Sequence, residues 1–462
     1  MIHQYKMNGY NIIIDGNSGS VHSVDDLAYD LISIYEKNSK ENKDNIIEEL
    51  LSKYESEKIS KNDIEDLIGE VDALIDDGLL FSKDPFEGLA KDLKKKQSKL
   101  KALCLHVAHG CNMDCEYCFA GKGEYNNKSG LMSLETGKKA LDFLIENSEG
   151  RKNLEVDLFG GEPLLNWEVC KEIVRYGRSL EKKYNKNFNF TLTTNGVLID
   201  DDVIDFANRE MSNVVLSMDG RKSVHNKMRH IKKGGDSYDE IIDKFKNLVE
   251  KRKDKQYYIR GTYTAYNKDF ASDVIHMADL GFKETSIEPV VSAESANYAL
   301  SKDDLPKLFD EYERLAKIMI DRKKADKPFN FYHYSIDLTG GPCIYKRISG
   351  CGVGTEYLAV IPNGDIYPCH QFASDDDFKM GSVYTGLIDG KMGDFFEKNN
   401  IYTRDKCRDC FAKLYCAGGC AANNFHSNGD INKVYEFGCE LQRKRIECAI
   451  MMKVAEQDNM IQ

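Results

Sequence analysis

The stretch Cys111-Asn112-Met113-Asp114-Cys115-Glu116-Tyr117-Cys118 decides the fold: three cysteines spaced C-x3-C-x2-C, with an aromatic residue before the last. It follows the apolar run Leu103-Cys104-Leu105-His106-Val107, which reads as a strand delivering a loop. A structural zinc site closes with four ligands, and no fourth cysteine completes this set at a tight spacing. Three thiolates from one short loop instead suit three irons of a 4Fe–4S cube and leave the fourth iron open to another ligand.

Outward from that loop, apolar strand-like runs alternate with helical patterns from Lys101 to about Val291, the sign of parallel β/α units. Strands are expected to end near Val107, Phe159, Thr193, Ser217, Thr264 and Glu288, with helices over 134–147, 167–184, 200–209, 238–251 and 270–280. Six such units predict an α/β chain built on a partial (β/α)6 barrel, whose chemistry sits at the C-terminal strand ends. The polar motifs fall there in succession: Gly160-Gly161-Glu162-Pro163, Thr193-Thr194-Asn195-Gly196, Ser217-Met218-Asp219-Gly220 with His225 and Arg229 behind it, Arg260-Gly261-Thr262, and Glu288-Pro289. Taken singly, each is more often a plain turn or a solvated residue.

Taken together, the cysteine loop and the strand-end motifs resemble the radical S-adenosylmethionine (SAM) family. The resemblance implies that Cys111, Cys115 and Cys118 hold a catalytic 4Fe–4S cluster whose open iron chelates SAM. The paired glycines Gly160 and Gly161, with Glu162 and Pro163, would receive the methionine ammonium, because glycine lets a backbone carbonyl approach closely. Thr194 and Asn195 would turn inward, Ser217 and Asp219 would suit ribose hydroxyls, and Tyr117 and Glu288 would lie beside the adenine. Either Arg229 or Arg260 would fork the SAM carboxylate. His225 is open between a substrate-side base and a structural histidine. Cys104 and Cys170 suit ordinary core roles.

The chain has 462 residues, too many for one core, and a net charge of -12, which opposes general affinity for nucleic acid or anionic membrane. No apolar run reaches the ~20 residues that span a bilayer, and the opening Met1-Ile2-His3-Gln4-Tyr5-Lys6 lacks a signal peptide's apolar segment. The expected location is the cytoplasm. Most of the fourteen cysteines lie in the motif above or beyond residue 340, so metal or catalysis is expected rather than disulfides.

Residues 1–90 read as a winged helix-turn-helix: a strand at Tyr10–Asp15, a turn into Ser20-Val21-His22, a helix capped by Ser23, a second helix around Ile46–Leu51, a third after Ser60, and a wing strand at Leu79-Leu80-Phe81. Asp63, Glu65, Asp66, Glu70, Asp72, Asp76 and Asp77 on the third helix would repel phosphates, so DNA is disfavoured. The layout resembles the precursor-peptide recognition element of ribosomal-peptide maturases, where a leader adds as a strand to a sheet edge. A lysine-rich linker, Lys91 to Lys101, leads on to a barrel over 101–310, a bridging helix and linker over 311–342, and a cysteine-rich region over 343–450.

That last region holds Gly341-Pro342-Cys343, Gly350-Cys351-Gly352, a hairpin through Ile361–Cys369 turning at Asn363-Gly364, then Cys407-x2-Cys410-x5-Cys416-x3-Cys420 and Cys439. The order resembles the SPASM extension of radical SAM peptide maturases. It implies two auxiliary 4Fe–4S clusters beside the catalytic one: Cys351, Cys369 and Cys420 on the first, Cys407, Cys410, Cys416 and Cys439 on the second. The first then has three ligands unless Cys343 or Cys448 adds another, or its iron stays open for a substrate thiolate.

The whole chain is similar to SPASM-type maturases, with Ser349-Gly350-Cys351-Gly352 and Pro368-Cys369-His370-Gln371-Phe372 closest to those of cysteine-rich SCIFF peptides. Such enzymes make thioether bonds through a 5′-deoxyadenosyl radical, using an external electron donor such as flavodoxin or ferredoxin. An anaerobic sulfatase-type formylglycine maturase, another SPASM peptide-modifying enzyme and, from another class, a zinc-bound peptide-binding scaffold are the alternatives.

Overall fold

Ile12, Ile13 and Ile14 stand on one strand yet are all fully buried, so the sheet that carries them must be covered on both faces. The computed structural model, which describes residues 1–37, 43–57, 59–92, 99–125, 129–339, 343–388 and 390–461, supplies both covers. Strands β1 (Ile2–Met7), β2 (Tyr10–Asp15) and β3 (Val21–Val24) form an antiparallel meander with β2 in the centre. Helices α1 (Asp26–Lys37), α2 (Lys43–Lys53) and α3 (Lys61–Asp76) pack Leu31, Ile46, Leu50, Ile64 and Ile68 against Ile2 and Ile13. Met7, Ile12 and Ile14 face the other way, into a core shared with the rest of the chain.

Three local expectations change. Strand β1 was not legible, because His3, Gln4, Tyr5 and Lys6 carry no apolar alternation. Ser23 lies within β3, and the side chain of Asp25 accepts from Ala28 N at 2.8 Å to start α1 instead. Leu79–Phe81 is a turn rather than a wing strand: Leu80 plugs the helical core and Phe81 takes a positive φ of 51°. Ser60 does cap α3, in a reciprocal box with Asp63. The short α4 (Glu87–Asp92) follows, and residues 93–98 of the lysine-rich linker lie outside the described residues.

The barrel runs β4 (Ala102–His109), β5 (Met113–Cys115), β6 (Gly130–Leu131), α5 (Leu134–Asn147), β7 (Asn153–Gly160), α6 (Trp167–Tyr184), β8 (Asn187–Thr194), α7 (Asp201–Glu210), β9 (Asn213–Ser217), α8 (Lys222–Met228), β10 (Arg229–Ile231), α9 (Ser237–Arg252), β11 (Gln256–Tyr263), α10 (Phe270–Asp279) and β12 (Glu284–Pro289). Strands β4, β7, β8, β9, β11 and β12 are parallel neighbours in that order, the expected six-unit partial barrel. Their outward residues, such as Leu105, Leu158, Phe190, Leu216 and Ile259, are fully buried under the helices. The inward set, Asp157, Phe159, Thr191, Thr193, Ser217, Tyr258, Arg260, Thr262 and Glu288, is half-buried or exposed. Period-2 alternation therefore leaves a polar, open lumen.

Beyond the barrel, α11 (Leu305–Lys324) is no free linker: Leu308, Tyr312 and Leu315 pack in one core with Phe270 and Leu441. Strand β13 (Asn330–Phe331) extends the sheet beside β12. After α12 (Ile344–Ser349), the predicted hairpin appears as β14 (Tyr357–Val360) and β15 (Asp365–Tyr367). Its unforeseen feature is that β14 pairs in parallel with β4, so the cysteine-rich region continues the barrel sheet. Strands β16 (Gly381–Ser382) and β17 (Gly386–Leu387) and helices α13 (Lys391–Glu397), α14 (Asp405–Arg408), α15 (Lys413–Cys416), α16 (Ala421–Asn428) and α17 (Glu436–Ile461) complete the chain. Among the described residues no helix is long and apolar enough to cross a membrane.

Candidate active site

The cysteine loop leaves β4 at the C-terminal end of the barrel and is pinned there: Arg229, His230 and Ile231 of β10 pair with Cys115, Asp114 and Met113 of β5. Cys111, Cys115 and Cys118 lie close enough to repel one another's negative charge. Burial pushes the Cys111 thiol up to about 12 and that of Cys115 to about 11. Only a cation bound among them would make thiolates of these groups at neutral pH. Met113 N and Asn195 Nδ2 donate to Cys111 Sγ at 3.4 and 3.5 Å. Buried Asn112 Nδ2 and Arg229 Nε find no partner among the described residues. Unspent donors, one of them cationic, beside three thiols fit an anionic iron–sulfur cluster and the carboxylate of SAM.

Tyr117, Asp219 and Arg229 form one buried unit next to the loop. Tyr117 OH donates to Asp219 Oδ2 at 2.5 Å and accepts from Arg229 Nη1 at 2.9 Å. Asp219 Oδ1 takes Thr262 N at 3.0 Å and Arg229 Nη1 at 3.4 Å. Both oxygens of Asp219 are thus occupied and the side chain has no exposure, so it holds Tyr117 and Arg229 instead of facing a ribose. Burial raises the Asp219 carboxyl against the pull of Arg229. His225 is also fully buried: its Nδ1 accepts Asp219 N at 3.3 Å and its Nε2 has no partner among the described residues. Ser217 is half-buried at the lumen end of β9.

Gly160 and Gly161 let two strand ends close on the loop. Gly161 N donates to Ala108 O and Glu162 N to Gly110 O, both at 2.9 Å. A Cβ on Gly161 would fall 2.1 Å from Gly110 O, and Gly160 has φ +135°. Glu162 caps the short turn that starts at Pro163, accepting from Leu164 N at 3.1 Å. It also accepts from Thr194 Oγ1 at 2.7 Å and Asn195 N at 2.8 Å. Glu162 therefore ties the Gly-Gly turn to the Thr-Asn turn. Burial pushes its carboxyl up to about 7, and a nearby ammonium would relieve that charge.

Glu288 stands across the lumen, in a group the sequence did not suggest. Arg445 of α17 reaches its Oε2 with both Nη1 and Nη2 at 3.1 Å, and His333 Nε2 lies 3.4 Å from its Oε1. His333 and Arg445 depress its carboxyl to about 2 despite burial. Arg445 also donates to Tyr312 OH at 2.9 Å, and Tyr312 bonds Tyr263 at 2.9 Å. Among the described residues no hydrogen bond or ion pair joins Glu288 to the cysteine loop.

The later cysteines fall into two groups. Cys351, Cys369 and Cys420 act electrostatically on one another, and so do Cys407, Cys410, Cys416 and Cys439. Burial pushes Cys369 and Cys439 up to about 12 and Cys416 to about 11, while Arg443 acts on Cys407 and Cys439. As placed, no three His, Cys, Asp or Glu among the described residues form a site for a single metal ion; a cube is wider than one ion. Cys448 is fully buried in α17 beside Tyr334, away from both groups. Cys343 is exposed at the start of α12, and the Gly341-Pro342 before it lies outside the described residues.

The second group doubles as a seat for the N-terminal sheet. The His3 ring stacks on Phe411 with centroids 3.6 Å apart, and a Cβ on Gly16 would lie 2.7 Å from Phe411 Cα. Lys413 Nζ, 2% exposed, donates to Asp84 Oδ2 at 2.6 Å and Asn17 Oδ1 at 2.9 Å. Tyr402 OH reaches Asp84 at 3.0 Å, and Tyr5 OH donates to Glu447 O at 2.8 Å.

With this geometry in place, the comparisons are informative. Residues 105–319 match the radical SAM superfamily, and the chain is a radical SAM enzyme. It is 26% identical over 341 residues to a cysteine-type anaerobic sulfatase-maturating enzyme of Clostridium perfringens, covering 70% of this chain and 88% of that one. Its fold is similar to native anSMEcpe with bound AdoMet, at TM-score 0.64, 20% identity, and 78% and 100% coverage of the two chains. Streptococcus suis SuiB bound to precursor peptide SuiA superposes with TM-score 0.53 at 16% identity, but over 94% of this chain and 97% of that one.

Proposed function

We propose that this enzyme is a maturase that installs a thioether bond, cysteine sulfur to carbon, in a cysteine-rich ribosomally made peptide of the SCIFF type. The observation that carries this reading is the seating of a leader-sized β-sheet module on the second group of auxiliary cysteines. A likeness that spans 94% of the chain with a protein crystallised on its precursor peptide supports it.

In this reading Cys111, Cys115 and Cys118 hold the catalytic cluster, Cys351, Cys369 and Cys420 the first auxiliary cluster, and Cys407, Cys410, Cys416 and Cys439 the second. When bound, the cofactors would supply hydrogen-atom abstraction from carbon and accept the one electron left over as the C–S bond forms and the thiol proton goes to solvent. The chain's own residues bind and exclude. Arg229, its Nε free and its Nη1 oriented by Asp219 and Tyr117, meets the SAM carboxylate. Glu162 offers the compensating charge for the ammonium, and Asn195 orients Asn112 at 2.8 Å beside Cys111. The lumen wall keeps the peptide carbon in line and water out.

The test is coexpression with a cysteine-rich peptide encoded by a neighbouring gene, followed by mass spectrometry. Cysteines that resist alkylation, with two hydrogens lost per bond, support the thioether reading. Sulfatase-type maturation, favoured by the 26% identical relative, would instead leave an aldehyde that reacts with hydrazide.

A further inference from the structure

Arg404 is a buried cation wedged between two of the segments that carry the later cysteines. It is 4% exposed. Its carbonyl starts α14, accepting from Cys407 N at 2.9 Å. Its guanidinium crosses to the next loop, where Nη1 donates to the carbonyl of Gly418, between Cys416 and Cys420. The fit there is close, since a Cβ on Gly418 would fall 2.1 Å from that nitrogen. Nη2 donates to Asn399 Oδ1. Nε is buried and finds no partner among the described residues. The same guanidinium reaches the Cys407 side chain.

Both hydrogen-bond acceptors of Arg404 are neutral, and no carboxylate among the described residues pairs with it. Its surroundings are apolar: Cys407 packs with Ile348, Ile401 and Leu414. A guanidinium keeps its proton at neutral pH, and a buried charge is strongly unfavourable unless an anion offsets it. Four protonated thiols offer no such charge. Four thiolates on a 4Fe–4S cube do, because the cube with its ligands is net negative. The unspent Nε, a donor free to meet sulfur, fits the same group. Arg443 of α17 is different, being one-third exposed and already paired with Glu440. In the first auxiliary group, Cys420 receives a neutral donor, Gln371 Nε2, at 3.8 Å.

Resting on the reading that gives Cys407, Cys410, Cys416 and Cys439 to the second auxiliary cluster, we propose that Arg404 is that cluster's built-in counter-cation and raises its reduction potential. Reduction adds one electron and no proton, so the cube becomes more negative by one charge. A cation fixed beside it in an apolar setting stabilises that reduced form over the oxidised one. The electron released as the C–S bond forms is thereby drawn to the second cluster. Arg404 acts through the cluster and touches no substrate.

The experiment is a dithionite titration of the reconstituted full chain without peptide, followed by electron paramagnetic resonance. The signal that Cys439→Ser alters marks the second cluster, and iron and sulfide content report on loading. In R404Q the midpoint of that signal should fall by about 59 mV, a tenfold change in the one-electron equilibrium, while the other signals stay in place. R404K should recover most of the shift, and R443Q should shift less than R404Q because Glu440 already offsets that guanidinium. An unchanged midpoint in R404Q with iron content intact overturns the proposal. So does a shift shared equally by all signals, or a larger shift in R443Q. If R404Q takes up no iron at these cysteines, R404K decides. Loading with a midpoint near wild type supports the role of the charge; failure to load, or a tenfold shift, reduces Arg404 to packing and overturns it. Zinc without sulfide at these cysteines, or no signal that Cys439→Ser alters, overturns it as well. Because potentials are read without peptide, these failures are distinct from failure of the thioether reading, which would appear as alkylatable cysteines in the coexpressed peptide.

Discussion

The two four-residue neighbourhoods that frame this enzyme, the loop Cys115–Cys118 and the segment Cys407–Cys410, are built in opposite ways. The first hangs from one strand of the barrel and is steadied by Glu162 and Asn195 at neighbouring strand ends and by Arg229 of β10. The second rests on short helices, α14 and α15, and gains its fourth cysteine from α17 and its outer cover from the N-terminal hairpin. One takes all three of its cysteines from a single loop; the other takes its fourth from a helix further along the chain.

The largest expected effect separates the two outright. Replacing Cys111, Cys115 and Cys118 together by Ala should abolish 5′-deoxyadenosine formation while iron bound by the later cysteines persists. Loss of all iron would mean that the groups are not independent.

The next effect concerns the seat. Lys413→Met takes the cation from Asp84 and leaves it only the Tyr402 hydroxyl and Phe86 N, which costs up to about 3–5 kcal/mol, the range for a broken buried pair. Thermal unfolding should drop, and hydrogen exchange in residues 1–24 should rise well before exchange in the barrel does. Uniform exchange would show that the module and the seat are not coupled. Deleting residues 1–90 is a blunter tool, because it bares the core that Met7, Ile12 and Ile14 share with Leu315 and Leu441.

A smaller change probes the buried unit beside the loop. Asp219→Asn keeps the shape but removes the charge that orients Arg229 and Tyr117. SAM affinity should fall about tenfold, with iron content unchanged; a loss confined to iron would make Asp219 a support of the loop alone.

The most gradual effect is a pH dependence. Glu162 rises from the ordinary 4.5 to about 7 in the folded chain, so the folded form holds its proton more tightly than the unfolded one. Stability should therefore decline as pH rises from about 4.5 to about 7, by on the order of 1–3 kcal/mol in metal-free protein, and then level off. Glu162→Gln should flatten that slope. An unaltered slope would place the titration elsewhere.

What could be read in advance follows the same division. The six parallel strands and helices such as Trp167–Tyr184 were legible because apolar period and polar strand ends agree within each unit. The three-cysteine loop was legible because its ligands are neighbours in sequence. The pairing of β14 with β4, the grip of Arg445 on Glu288 and the Lys413–Asp84 pair were not, since each joins residues more than 150 positions apart with no local pattern. Glu162 and Asp219 were recognised as site residues, but their orienting roles depend on partners from other strands.

Gly16 against Phe411 carries a consequence for how the protein is made. The hairpin that holds Gly16 leaves the ribosome long before its seat does; Asn17 and Lys413 are separated by 396 positions. At ordinary translation rates of about 5–20 residues per second, the N-terminal sheet spends some tens of seconds with its Met7–Ile14 face uncovered. Nascent chains of this enzyme thus expose an apolar strand surface until Phe411 and the α17 residues that share its core, such as Leu441, have been made.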